Sequence, residues 1–389
     1  MTATLRGLAW DHRRCWGPLD ASVEPYRAAH PGFDIAWDRR SLYEFGEGRL
    51  EDVLQDYDLV VFDHPFIGDI AEGGLMVPFD PYLSAEERAR FAADSVGGSW
   101  RSYQADARQW ALPIDAAAQV ASYRPDLLPA FADAPPQNHA EIVKLGNALR
   151  RDGRCIGLPF VPTDAMCLVL TLAAGAGDAI GEGGRFLPQE AVERIVGELA
   201  ELAALAHPMS AQWNPIRCYD HMVAQDDVVY VPYAFGYVNY ASRAETPRLA
   251  FTDIPVEGSR GALLGGAGIG VSAFSKHREA AIAYALHLCS ADYQRGDYVA
   301  FGGQPGSLAA WRDPAANEAT RHFFANTLAT LTNSYLRPTH PGFISFFRDL
   351  THPAHEAIAG RLPAKELAKL LDRRYAETLP APELGRRAV

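Results

Sequence analysis

The first 115 residues alternate between short apolar runs and stretches with helical spacing. Leu5 to Trp10 is an apolar run of strand length. "PLDASVEPYRAAH" then reads as a helix that opens at Pro18 and stops before Pro31-Gly32, since proline suits a helix start and Pro-Gly ends one. Phe33 to Trp37 predicts a second strand, and "LYEFGEGRLEDVLQ" a helical stretch. "DLVVFD" predicts a third strand, four apolar residues between aspartates. Ser84 with Glu87 three residues on is a capping box that opens another helix. "QWALPID" closes the segment. Strands joined by helices imply βαβ units and a mainly parallel sheet.

A second unit follows. "NHAEIVKLGNALRRDG" has Asn138 as a cap, Glu141 three residues on and Gly153 as a stop. "CIGL" predicts a strand. "PQEAVERIVGELAELAALAH" places Val192, Ile195, Val196, Leu199 and Leu202 on one face at helical spacing. "VVYVP" is again strand-like and leads into the aromatic-rich "YAFGYVNY". The glycine-rich "ALLGGAGIGVSAFSK" precedes the helix "HREAAIAYALHLCS", and the last 80 residues read as mostly helical. No internal repeat or low-complexity linker interrupts the chain.

Length and composition narrow the class. The chain has 389 residues, enough for two or three domains, with 48% hydrophobic and 22% charged residues. No run approaches the ~18 apolar residues of a membrane span, so no membrane insertion is expected. The net charge of −12, with no basic block, argues against nucleic acid, whose affinity rests on cations that neutralise phosphates. The five cysteines are widely spaced and odd in number, so neither a disulfide framework nor a zinc site is indicated.

Candidate chemistry gathers at strand ends. "GLAWDH" ends on Asp11, "LVVFDH" on Asp63 and "WALPID" on Asp115, and the first two continue into His12 and His64. In open α/β sheets ligands bind outside the carboxyl ends of strands, where carboxylates accept hydrogen bonds from a polar ligand. The structural alternative is that each aspartate caps the turn that follows it. Trp10, Trp16, Phe66, Trp213, Tyr233, Phe235 and Tyr237 fall in predicted loops or at strand ends, where aromatic surface offers contact area to a ligand; core packing is the alternative for each. "LLGGAGIGVS" runs G-x-G-x-G from Gly266, with Val271 where a dinucleotide loop needs glycine, and no P-loop lysine follows. Close backbone approach at a ligand or hinge accounts for these glycines better, and no cofactor is expected. Gln304, after Gly302-Gly303, is a candidate donor to ligand hydroxyls, and Arg337 in "LRPTHPGF" a candidate clamp or ion-pair partner. Adjacent Asp-His pairs point to opposite faces of a strand, so no metal site is expected there.

These motifs together resemble the type 1 extracellular solute-binding proteins of bacterial ABC importers, in their sugar-binding branch. The most specific part is "LLGGAGIGVSAFSKHREAAIAYALHLCSADYQRGDYVAFGGQPG", Leu263 to Gly306. "ALPIDAAAQVASYRPDLL" is similar to the family's crossover strand, "VVYVPYAFGYVNY" to a ligand-facing loop of the second lobe, and "YLRP" (Tyr335 to Pro338) to a late motif. The resemblance implies an α/β periplasmic-binding-protein-like fold of type II, with a ligand cleft between two hinged lobes. Lobe one would comprise 1–114 plus 264–308, and lobe two 115–263 plus 309–389, with crossings near Asp115, Gly265 and Gly306.

Two functions follow. In the first, the lobes close on a small polar, sugar-like solute held by Trp10, Asp11, His12, Asp63, His64, Asp115, Trp213, Tyr233, Phe235, Gly266, Gln304 and Arg337. In the second, the same cleft is that of a cytoplasmic isomerase, lyase or cyclase, with Asp63 or Asp115 as general base and His12 or His64 as acid. The opening residues lack the basic start and ~7–15 apolar residues of a secretory signal, since Arg6 interrupts the first run. A cytoplasmic location is therefore expected for the chain as it stands, and a periplasmic or cell-surface one if a leader has been removed. An ABC permease is a partner only in the exported case. A monomer is expected.

Overall fold

The computed structural model describes residues 3–242, 248–256 and 261–379. Its first strands follow the apolar runs. β1 (Ala3–Trp10) pairs in parallel with β2 (Phe33–Arg40) and with β3 (Leu59–Phe62). The strand period of two is visible in β3, where Leu59 and Val61 join one apolar cluster and Val60 and Phe62 join another. Both faces of this sheet are therefore buried, as a parallel sheet requires.

The remaining strands carry the chain across the molecule. A small hairpin, β4 (Gln104–Ala105) with β5 (Arg108–Gln109), precedes β6 (Leu112–Tyr123). β6 continues past "QWALPID" to Tyr123, twelve residues in all, so Asp115 lies inside a strand and not at its end, within the stretch read as a crossover strand. Residues 112–118 of β6 pair antiparallel with β10 (Leu264–Val271), which also lies antiparallel to β3. Residues 119–123 pair instead with β8 (Val228–Phe235) and β9 (Ala250–Thr252), and β7 (Cys155–Ile156) pairs in parallel with β8. The order is β2-β1-β3-β10-β6-β8-β7, with β9 branching from β6. The crossing strands are antiparallel, and parallel pairing is limited to β1 with β2 and β3 and to β7 with β8.

Helices cover these sheets. Helix α1 (Arg13–Ala29) starts five residues before Pro18, because His12 caps it: its Nδ1 accepts from the Arg14 amide at 3.1 Å. Only Leu42–Glu47 (α2) of the predicted stretch after β2 is α-helical, opened by a capping box between Ser41 and Glu44. The capping box at Ser84 and the Asn138 cap both form. Helix Gln189–Leu205 buries Val192, Ile195, Val196, Leu199 and Leu202 as its spacing predicts. The chain from Leu308 onward is largely helical, ending in Phe343–Ile358 and Ala364–Ala376.

The crossing is braced by polar groups. The Gln304 amide accepts from the Val238 N–H at 3.2 Å and donates to the Ala116 carbonyl at 2.8 Å. Asp115 and Pro305 form an isolated antiparallel bridge. At Gly266, φ is +105°, and a Cβ there would sit 2.4 Å from the Asp115 carbonyl oxygen. Only glycine meets both conditions, so the β10 bulge beside it can press against β6.

Candidate functional site

The carboxyl ends of β1 and β3, the middle of β6, the start of β10, and the end of β8 with the loop after it surround a cleft of about 390 Å³. From the first sheet come Trp10 and Asp63, with Arg14 on α1 and Tyr43 and Phe45 on α2. The crossing strands contribute Ala117, Gly265 and Gly266. The opposite wall holds Thr163 and Asp164 in the first turn of helix Pro162–Ala176, then Asn214 and Arg217 at the start of helix Pro215–Ala224, then Phe235 and Tyr237. Arg337 and Phe347 close it.

Two ion pairs organise the floor. Arg14 donates from Nε to Asp115 Oδ2 at 2.7 Å and from Nη2 to Oδ1 at 2.5 Å, and from Nη1 to the Gly236 carbonyl at 2.9 Å. Its guanidinium lies 4.7 Å from the Tyr237 ring centroid. Burial opposes the charge on Arg14, but the Asp115 carboxylate outweighs it and pushes the guanidinium pKa up. The second pair joins Arg337 Nη2 to both oxygens of Asp63, at 3.1 and 3.0 Å. Burial acts to raise the Asp63 carboxyl, yet Arg337, aided by a hydrogen bond from His64, holds it down at about 2. His64 lies behind this pair, fully buried, and its Nε2 accepts from Arg337 Nε at 3.3 Å. Burial and then the Arg337 charge lower its pKa to about 4, so it is neutral near pH 7.

Aromatic surface lies between these charges. The Trp10 and Phe45 ring centroids are 4.7 Å apart. The Trp10 indole Nε1 is buried and has no acceptor among the described residues. Burial raises the Tyr237 hydroxyl to about 12, which keeps it a neutral donor and acceptor. Tyr43 is 70% exposed, so its ring is accessible to a solute in the cleft.

Of the residues expected to face a ligand, Trp10, Asp63, Phe235, Gly266 and Arg337 line the cleft, and so does Tyr237. The others are not among its lining residues. Asp11 is exposed on the turn after β1. His12 serves as the cap of α1, with burial and then Arg14 lowering its pKa to about 4. His64 and Asp115 lie one layer below, each behind an arginine, because a buried arginine charge needs a counter-group. Trp213 stacks on His207 at 4.4 Å instead. Tyr233 is buried in β8 and Gln304 in the crossing. Trp16 packs under Arg39 and Phe66 under Arg348.

Arg14, Tyr43, Phe45, Asp164, Asn214 and Arg217 also line the cleft, and the sequence reading does not single them out. A signal for Arg14 exists. Arg14, Pro18, Ser22 and Tyr26 recur every four residues and are all buried, so Arg14 continues the inward stripe of α1.

A sequence model described as bacterial extracellular solute-binding protein matches residues 21–323. The chain belongs to that family. Solved structures of similar fold span essentially its whole length. The maltose-bound MalE3 of T. maritima superposes with a TM-score of 0.83 at 18% identity, covering 97% of this chain and 100% of that one. A solute-binding protein of Thermotoga lettingae bound with alpha-D-tagatose gives 0.82 at 15%, covering 97% and 100%. One from Agrobacterium radiobacter in complex with ribitol gives 0.78 at 18%, covering 97% and 98%. The fold is thus the two-lobed one of these proteins, and solute capture is the function the family carries.

The family carries solute capture, and the acid–base reading finds no support beside it. A general base works best with a pKa near the working pH. Asp63, held at about 2 by Arg337, is far below it; Asp115 is raised by burial but is sealed from solvent behind Arg14, which occupies both its oxygens; and the His12 and His64 rings, both at about 4, are neutral there.

Proposed function

We propose that this solute-binding protein captures a neutral carbohydrate or polyol in the cleft between Trp10 and Arg337. The observation that carries this reading is the makeup of the cleft. Exposed or half-exposed aromatic faces at Tyr43 and Phe235 alternate with charges that are already paired, at Arg14 and at Asp63 with Arg337. Paired charges offer strong hydrogen-bonding groups without demanding a counter-ion from the ligand. Aromatic faces suit the apolar side of a sugar ring, and the unpartnered Trp10 N–H suits a hydroxyl oxygen. The relatives holding maltose, tagatose and ribitol support the same ligand class.

The lobes are read as 1–114 plus 264–308 and 115–263 plus 309–389. In support, one set of apolar clusters draws mainly on residues 5–114 and 267–298, and another mainly on 116–264 and 311–375. The crossing strands β6 and β10 with the Gln304 brace would form the hinge about which the lobes close. The family character favours work outside the cytoplasmic membrane, with an ABC permease as receiving partner, over the cytoplasmic location expected above. No helix among the described residues is long and apolar enough to cross a membrane.

The test is calorimetric titration of maltose, tagatose and ribitol into the protein, with and without Tyr43→Ala. Saturable binding to one of them, weakened by Tyr43→Ala, supports the reading. Binding confined to charged solutes such as amino acids or phosphate would replace it.

A further inference from the structure

The loop and helix that bring Asn214 and Arg217 to the cleft also bring three metal-ligating side chains together. His221, one turn beyond Arg217 on helix Pro215–Ala224, places Nε2 2.7 Å from Asp227 Oδ1. His207 places Nε2 3.4 Å from Asp227 Oδ2. The two imidazole centroids are 4.8 Å apart, and one donor atom from each of the three residues lies within 4.8 Å of the others. The backbone holds this arrangement in place. The His207 N–H donates to Ile156 O, and Cys155 N–H to Asp227 O, both at 2.8 Å, so both residues are fastened to β7. The Trp213 indole stacks on His207 at 10° and sits 4.7 Å from His221, which fixes both rings.

We propose that His207, His221 and Asp227 bind a divalent transition-metal ion of the zinc type, with a fourth position open to water. Two imidazoles and a carboxylate are a donor set that suits zinc, nickel or copper and not the oxygen-seeking calcium or magnesium. A tetrahedral ion with bonds of about 2.0–2.1 Å sets its ligand atoms roughly 3.3 Å apart. The observed separations bracket that figure, so small side-chain rotations suffice. The side chains are 17%, 23% and 39% exposed, so an ion reaches them from solvent while their stems stay fixed. One adjustment is required. His207 Nδ1 accepts from the Met209 N–H at 3.1 Å, and an ion on Nε2 moves the ring proton to Nδ1. The Met209 amide then turns to water, which its exposed loop permits. The bound ion would tie 207–217, and with it Asn214 and Arg217, to the edge of β7 and β8.

The test uses the full chain after chelator treatment, titrated with Zn²⁺ by calorimetry and with Co²⁺ by visible absorption. One equivalent should bind, with a rise in the thermal midpoint. His221→Gln and Asp227→Asn, both at half-exposed sites, should each weaken binding by about tenfold or more. Trp213→Phe should retain binding but lose most of the quenching of tryptophan fluorescence by Co²⁺. Failure of the wild-type chain to bind one equivalent overturns the proposal. So does binding that neither His221→Gln nor Asp227→Asn weakens, since the ion would then sit on other histidines.

Discussion

Arg14 and Asp115 meet as a bidentate ion pair with both side chains sealed from solvent, 101 residues apart in the chain. The same guanidinium holds the Gly236 carbonyl after β8. One side chain on α1 thus ties the first sheet to the strand that leaves it and to the loop on the opposite wall of the cleft. Removing one member of such a pair leaves an uncompensated buried charge, which costs more than the pair itself contributes. Arg14→Met should therefore destabilise the protein by about 3–5 kcal/mol in urea unfolding at neutral pH. Arg14→Met combined with Asp115→Leu should recover most of that loss. A single variant within about 1 kcal/mol of wild type would mean that the pair is solvated and the cleft floor open.

Stability should fall with acid in two windows. His12 and His64 titrate at about 4 in the folded chain, below the ordinary histidine value of ~6.5. The unfolded chain therefore binds more protons between those values, and stability is lost as pH falls from 6.5 toward 4. Asp63 titrates at about 2, below the usual ~3.9, so its share is intact above pH 4 and lost as pH falls toward 2. Between pH 7 and 5 each histidine should remove about 1–2 kcal/mol. Urea midpoints of wild type and His64→Gln at both pH values check this. Equal losses in the two proteins would show that His64 is not neutral in the fold.

Gly266 and Gly197 should respond oppositely to alanine. A Cβ at Gly266 meets the Asp115 carbonyl oxygen at 2.4 Å under a φ of +105°, so Gly266→Ala should cost about 1–3 kcal/mol or more. Gly197 lies inside helix Gln189–Leu205, where an added methyl group would meet no atom within 4 Å, so Gly197→Ala should stabilise by about 0.4–1 kcal/mol. Thermal melts of both variants give the comparison. A neutral Gly266→Ala would show that β10 and β6 are not pressed together there.

Elements with local signals are legible in the sequence, and relations between distant residues are not. The strands β1 to β3, the Ser84 capping box and the apolar face of Gln189–Leu205 follow from spacing alone. Helix α1 reads five residues short because Pro18 imitates a helix start, and Arg14 is lost with the missing turn. Asp63 and Arg337 each stand out by chemistry, but they are 274 residues apart, and no periodicity links them. Asp115 reads as a strand end because the alanines after it carry little strand signal; pairing with β10 and β8 extends β6 past it. Trp213 shows the limit for aromatics. Its loop is visible in the sequence, but which way the ring turns is decided by His207, a partner brought near by the fold.

The most direct test of solute capture is calorimetric titration of maltose, tagatose and ribitol against wild type, Tyr43→Ala and Trp213→Phe. Tyr43 is exposed enough that its removal leaves the fold intact. The account predicts one-site binding of at least one of the three. Tyr43→Ala should weaken it by about 0.5–1.5 kcal/mol, roughly two- to tenfold, and Trp213→Phe should leave it within about twofold. No binding of any of the three, or binding weakened by Trp213→Phe and untouched by Tyr43→Ala, would contradict it.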